Sequence, residues 1–414
     1  MAATAASSAP VETPAHRMKT TRTVALASLL AFATQVVFAL LMLRLFSPQE
    51  VGEFSVISQI GFFWMTLALA QSNLGLLANQ YLPAHIAAQR AWRGSMLRGL
   101  SLLPVAALAV GFSQLALWPA LLWAGLLALC QMGWMLAQSF TLRAGTRWQQ
   151  AAVRVLPPLT AALTALVAVW LGDSLGWTGP TLVMSALLGY ALGATWLLPA
   201  WHARMNVQGA SSGSAEEEPC VDRSSSDTPQ GDTRSTPLRM AHTLVDALLA
   251  TAIFVVWQRL YGAEETGWMT ALLRVLGFLP AVVHMAWAQV ALAQGSESAP
   301  RHHNWANPWW LGMGAFACVI ALGVCCAVAL HLEWLDPKWQ GVWGYIAPLV
   351  LWQGSACLSA AFSHRPFQTG AAKTYSWACM GLAALQALAL FAPFLGNDPA
   401  FDALQHMAAF AWTS

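Results

Sequence analysis

Charge is what this chain has least of. Only 9% of its 414 residues are Asp, Glu, Lys or Arg, where a water-soluble domain carries about 25%. Together with 57% hydrophobic residues and a mean hydropathy of +0.53, that scarcity excludes an ordinary soluble globule. The net charge of +2 says nothing about nucleic acid; the distribution of charge is what informs. Catalytic signatures are missing too. No Gly-x-x-x-x-Gly-Lys loop cradles a phosphate, and no His-Glu-x-x-His pair sits at zinc spacing. Six of the seven cysteines (Cys130, Cys318, Cys325, Cys326, Cys357 and Cys379) lie in apolar stretches, where a thiol packs as a small hydrophobe. Cys220 lies in a polar stretch, and the adjacent His302 and His303 fit a solvated loop better than a ligand pair. The expectation is therefore no enzyme, no metal, no cofactor and no nucleic-acid partner.

What the chain has instead is apolar length. Eleven runs stand out, at about 23–46, 53–79, 96–116, 119–141, 152–171, 178–201, 240–261, 267–293, 309–331, 341–363 and 374–394. Each has roughly the 20 residues that cross about 30 Å of hydrocarbon. Loop charge alternates with them. One set of loops carries Arg17, Lys19 and Arg22; Arg90, Arg93 and Arg98; Arg143, Arg147 and Arg154; Arg204, Arg223, Arg234 and Arg239; Arg301; and Arg365 with Lys373. The other set carries Glu50 and Glu53, Asp173, Glu264 and Glu265, Glu333 and Asp336, and Asp398 and Asp402, with Lys338 as its one loop cation. Excess Lys and Arg marks the cytoplasmic side, so the N-terminus is expected there. Many of the 22 Trp, among them Trp118, Trp148, Trp177 and Trp309, flank the runs as interface anchors.

Met18-Lys-Thr-Thr-Arg22, followed by apolar residues and Ala31-Phe-Ala33, imitates a signal peptide. The run continues to Leu43, past the length of a signal core, so it is expected to stay as the first span. Residues 1–17 are expected to be an extension, with Met18 an alternative start.

A polar stretch rich in Ser, Gly, Asp, Glu and Pro separates six runs from five. The expected organisation is a disordered cytoplasmic N-terminus (1–22), a six-helix lobe (23–201), a disordered cytoplasmic linker (202–239) and a second lobe (240–414). That second lobe has five helices plus a short terminal or partial helix, because the segment after Asp398 is too short for a full span. Six is even, so both lobes start on the same side, related by an axis along the membrane normal. The fold expected is all-α and polytopic, with two pseudo-symmetric lobes of 6 + 5 or 6 + 6 helices around a central cavity.

A repeated phrase supports the two lobes. Arg44-Leu-Phe-Ser-Pro-Gln-Glu-Val-Gly-Glu-Phe54 returns as Arg259-Leu-Tyr-Gly-Ala-Glu-Glu-Thr-Gly-Trp-Met269 at an offset of 215 (259 − 44), with Arg, Leu, Glu50/Glu265 and Gly52/Gly267 coinciding. Arg44, Glu50, Gly52, Arg259, Glu265 and Gly267 are read as the structural turn joining the first two helices of each lobe. Arg44 and Arg259 either snorkel or pair with the nearby Glu.

Polar groups inside spans are expensive and rarely face lipid. In the second lobe these are Asp246, Arg274 and His284; in the first, Gln35, Gln59, Gln71 and Asn73. Gln59 and Arg274 stand at the same offset of 215 (274 − 59), so one helix face is polar in both halves. Arg274, Gln59, Gln35 and His284 are read as cargo-binding, Asp246 and His284 as candidates for ion coupling. Arg274 suits a phosphate, because its guanidinium stays charged and donates through a planar fork. Pro104, Pro157-Pro158, Pro280 and Pro348 free backbone carbonyls inside spans, and Gly189-x-x-x-Gly193 lets two helices approach closely.

The stretch from the basic start through Leu43-Arg-Leu-Phe-Ser-Pro-Gln-Glu-Val-Gly-Glu-Phe-Ser-Val56 resembles Wzx-type polysaccharide flippases, part of the multidrug, oligosaccharidyl-lipid and polysaccharide exporters. The likeness covers the N-terminal half, and the second half only through Arg259–Met269. It implies a multi-pass protein of the bacterial inner membrane whose lobes open a cavity alternately to each side. The implied cargo is an undecaprenyl-pyrophosphate-linked oligosaccharide. The implied partners are that lipid-linked saccharide, membrane lipids, and a polysaccharide polymerase with its chain-length machinery. Two other readings remain open: an exporter of small cationic or amphipathic compounds, and a non-transporting scaffold for envelope assembly.

Overall fold

The structure, a computed structural model, describes residues 30–31, 33–78, 82–175, 180–201, 236–283, 307–369, 371–395 and 402–413. The N-terminal extension, most of the expected linker, His284, Cys220 and the His302-His303 pair lie outside these residues. Among the described residues every regular element is a helix, with no strand. Seven helices among the described residues are long and apolar enough to cross a membrane, or eight if one bent pair counts as a span. Large apolar side chains such as Leu97, Leu108, Trp118, Trp170 and Trp310 face outward, a surface that only lipid would cover. The chain is an all-α, multi-pass membrane protein.

The first group of helices runs α1 (Ala33–Leu45), α2 (Pro48–Leu69), α3 (Ser72–Ala78), α4 (Ala84–Ser101), α5 (Leu103–Phe112), α6 (Leu117–Ala144), α7 (Arg147–Leu175) and α8 (Thr181–Thr195). The second group runs α9 (Thr236–Leu276), α10 (Phe278–Val282), α11 (Pro308–His331), α12 (Val342–Phe362), α13 (Arg365–Gln368), α14 (Ala372–Leu395) and α15 (Ala403–Trp412). α6 packs on α2 and α8, and α8 on α7; in the second group α12 packs on α11 and α15, and α9 on α14. The two groups meet mainly where α2 lies along α9.

Among the described residues the apolar runs fall mostly on helices, but several are broken where hydropathy is continuous. The run 53–79 is divided between α2 and α3 by Ala70 and Gln71, both with positive φ (41° and 63°). Arg98 of α4 satisfies the carbonyls exposed there, donating to Ala68 O at 2.8 Å and Leu69 O at 3.1 Å, and to Ser72 Oγ at 2.6 Å. Gln71, read as a buried polar group, is therefore an exposed residue of this break. The run 96–116 bends by 48° between α4 and α5, where Pro104 in the first turn of α5 cannot donate to the preceding turn. Run 240–261 and the first ten residues of run 267–293 share one helix, α9, interrupted only at Gly262 (φ 86°, ψ −177°), a conformation reserved for glycine. The turn expected between the first two helices of the second half is thus a single-residue break and not a loop.

The first copy of the repeated phrase folds by capping. Ser47 is the N-cap of α2, Pro48 opens it, and Glu50 closes a capping box, its Oε2 accepting from Ser47 N at 2.8 Å. In the second copy the N-cap position is Gly262 (47 + 215), which has no side chain to cap with. Glu265 turns elsewhere. Neither Arg44 nor Arg259 pairs with its Glu; among the described residues the ion pair formed is Lys338–Asp336 at 3.5 Å, while Arg259 stacks over Phe112 at 5.8 Å.

The two glycines of the phrase meet across the molecule. A Cβ on Gly52 would overlap the carbonyl oxygen of Ala263, and one on Gly267 would overlap that of Pro48. Ala263 stands at the repeat offset from Pro48 (263 − 48 = 215), as Gly267 does from Gly52. The contact is reciprocal, helix start against helix start, and forms a seam between the halves.

Candidate functional site

Beyond the seam, α2 and the second arm of α9 diverge from neighbours that leave space. Arg274 follows Gly267 by seven residues, about 10 Å along a helix. There a cavity of about 510 Å³ opens, lined from α1, α2, α6, α7, α8, α9 and α10. Gln35, Gln59 and Arg274 all line it; Asp246, exposed on the first arm of α9, does not. A smaller pocket of about 180 Å³ adjoins it, walled by Ser55, Ser58, Gln59 and Thr270 with Arg274 between the two.

Arg274 crosses from the second group of helices to the first. Its guanidinium donates to Ser55 Oγ at 3.2 Å and to the Met42 thioether at 3.4 Å, and lies 4.8 Å from the Phe54 ring centre. A guanidinium has five N–H donors, and these two acceptors use few of them weakly. No carboxylate lies within ion-pair distance among the described residues, and no acidic residue lines the cavity. The arrangement is a half-buried cation in the cavity wall with donors to spare, which an anionic oxygen would satisfy.

The opposite wall is built by proline chemistry. Pro157 cannot donate to Val153 O in α7, and the indole N–H of Trp134 on α6 takes that carbonyl instead, at 2.6 Å. This fixes Trp134 in the cavity wall beside Tyr190 of α8, their rings 5.3 Å apart and 31° from coplanar. α8 reaches this depth because Gly189 and Gly193 lie against Pro157; a Cβ on Gly189 would stand 2.5 Å from the Pro157 carbonyl oxygen. Gln131, also in the wall, has a buried amide oxygen with no hydrogen-bond partner among the described residues. Such an orphan acceptor costs free energy until a donor, such as a hydroxyl, reaches it.

The cargo set read from the sequence is thus partly gathered. Gln35, Gln59 and Arg274 come together, while His284 lies outside the described residues. Sequence reasoning missed Ser55, Met42, Gln131, Trp134 and Tyr190. Gln131 carried a readable signal as an amide inside the run 119–141, and Trp134 stood out only among many tryptophans. Among the described residues no cluster of His, Cys, Asp or Glu is arranged to hold a metal ion.

No family model and no curated protein matches the chain. Among solved structures, lipid II flippase MurJ in its inward closed conformation superposes on it with a TM-score of 0.61, covering 94% of this chain and 84% of its own. The fold is similar to that of a lipid flippase. Sequence identity with MurJ is 11%, so the likeness is one of architecture and carries no residue roles across. It agrees with the all-α, multi-pass fold expected from the sequence.

Proposed function

We propose that the chain is a flippase of the bacterial inner membrane. By this reading it moves an undecaprenyl-pyrophosphate-linked oligosaccharide, the repeat unit of an O-antigen, capsule or exopolysaccharide, from the cytoplasmic to the outer leaflet by alternating access. The observation that carries the reading is Arg274, an under-satisfied cation at the junction of the two halves and at the meeting point of two pockets. A pyrophosphate needs such a donor fork. Amide groups at Gln35, Gln59 and Gln131 suit sugar hydroxyls, and the faces of Trp134 and Tyr190 suit sugar rings. The MurJ-like fold supports a lipid-linked cargo whose tail stays in the bilayer.

With the N-terminus in the cytoplasm, the Gly52–Gly267 seam closes the outer side and the cavity lies toward the cytoplasm, where such precursors are made. The released precursor is then a substrate for a polymerase and its chain-length machinery on the outer face. Export of cationic compounds would call for carboxylates in the wall, and the described lining holds an arginine instead. A scaffold without transport leaves the cavity unexplained.

The test is complementation of a strain lacking the gene. Arg274→Ala and Arg274→Glu are expected to abolish surface polysaccharide, with lipid-linked precursor accumulating, and Arg274→Lys to retain part of it. Loss of a buried charge partner of this kind costs about 2 kcal/mol or more, roughly 30-fold. Normal polymer in both Arg274→Ala and Arg274→Glu would sink the reading.

A further inference from the structure

The polar network at the α9 break lies outside the cavity. Tyr261 and Glu265 flank Gly262, one on each arm. Tyr345 of α12, fully buried, accepts from Trp257 Nε1 at 3.1 Å and donates to Glu265 Oε2 at 2.5 Å. On the other side of the break, Tyr261 Oη stands 2.9 Å from His406 Nδ1 of α15, and His406 Nε2 stands 3.1 Å from Ala389 O of α14. A carbonyl only accepts, so Nε2 carries the proton; in the neutral ring the Tyr261 hydroxyl then donates to Nδ1. That ring lies flat on Trp257, 4.6 Å away and 19° from parallel.

These bonds give Glu265 a role its repeat partner lacks. Glu50 is held by Ser47 in its capping box; Glu265 has a glycine there and binds across to another helix. Its Oε2 is fixed by Tyr345, and Oε1 has no partner among the described residues. Among the described residues the charged and titratable groups around it pair it with no cation: Glu264 and Asp402 are carboxylates, and Tyr261 is engaged with His406. On the α2 side Glu50 is in its box and Glu53 accepts from Gln49. Arg259 lies over Phe112, and Lys338 is paired with Asp336. A proton on Oε1 would relieve the like charges while Oε2 keeps its bond to Tyr345.

The position amplifies the consequence. Glu265 stands two residues before Gly267, which forms the seam, and nine before Arg274, which enters the cavity. We propose that Glu265, held by Tyr345 at the α9 break, is a proton-binding site that sets the position of the α9 arm carrying both the seam and the cavity cation.

Infrared difference spectroscopy tests this without any cargo, so it stands or falls apart from the saccharide reading. The probe is the proton itself: a step from about pH 8 to about pH 5 on the full-length chain in phosphatidylethanolamine–phosphatidylglycerol vesicles. The expected result is a protonated-carboxyl C=O band that rises in the parent, is lost in E265Q, and persists in E264Q and D402N. In Y345F the ionised form loses its donor, so the band is larger at any given pH within the step. A cysteine at Val51, buried against the seam, is expected to change its labelling rate by about threefold or more across the same step, and to lose that change in E265Q. A band that survives in E265Q, or no rising band in the parent, overturns the proposal. Should E265Q fail to fold, an unchanged band in Y345F overturns it equally.

Discussion

At the scale of single residues, the molecule depends on positions where a side chain is absent. Gly52 and Gly267 each face a carbonyl oxygen of the other half, so one methyl at either must part the helices. Overpacking of this kind costs about 1–3 kcal/mol. Gly52→Ala and Gly267→Ala are each expected to raise labelling of Val51→Cys by an impermeant maleimide from outside, in a background free of native cysteines; equal protection in all variants would contradict the seam. The sequence made these glycines visible through their constant offset. It did not show that the two copies touch, because an offset reports similarity and not proximity. Glu265 illustrates the complement: it matched Glu50 in letter, yet the Ser47-to-Gly262 difference three residues earlier removed its capping partner and released it to Tyr345. Arg274 was legible because a cation inside an apolar run is costly wherever it points. Trp134 was not, because its role follows from a proline in a different helix.

At the scale of elements, hydropathy located the long helices but neither the short Arg365–Gln368 helix nor most of the breaks. Composition stays apolar across Leu102 and nearly so at Ala70–Gln71, where a missing N–H or positive φ makes the break, while the polar stretch around Gly262, read as a turn, is helical except at that glycine. Two predictions belong here. Gly262→Ala places a Cβ in a conformation that only glycine adopts readily, at a cost of about 1–3 kcal/mol; the unfolding midpoint in detergent is expected to fall. Gly189→Val drives α8 off the Pro157 carbonyl, costing about 1–3 kcal/mol, and loosens the wall that holds Trp134 and Tyr190. The expected readout is a lower unfolding midpoint with a change in tryptophan fluorescence, whereas Gly111→Val, where a Cβ meets nothing within 4 Å, should leave both unchanged. Equal effects at the two sites would refute the close α7–α8 approach.

At the scale of the whole molecule, orientation is the property on which the transport direction rests, and it was read from loop charge alone. Single cysteines replacing Asp336 and Arg147 are expected to label from opposite sides of the membrane, Asp336→Cys from outside and Arg147→Cys from the cytoplasm; the reverse pattern would invert the proposed direction. The all-α, multi-pass plan was legible because a succession of apolar runs is a property of the whole chain, while the cavity, assembled from seven helices, was not. The reciprocal glycine seam also has a mechanical meaning. It lies at one end of the long helices, so it can act as a fulcrum with the rest of each lobe as the arm. A tilt of about 20° would displace Arg274, about 10 Å away, by roughly 3–4 Å, and the far end of a 20-residue helix by roughly 10 Å. The first displacement is enough to pull the guanidinium off Ser55, and the second to widen the inner mouth severalfold more. A small rotation at two glycines is thus geared into grip at the middle and clearance at the rim.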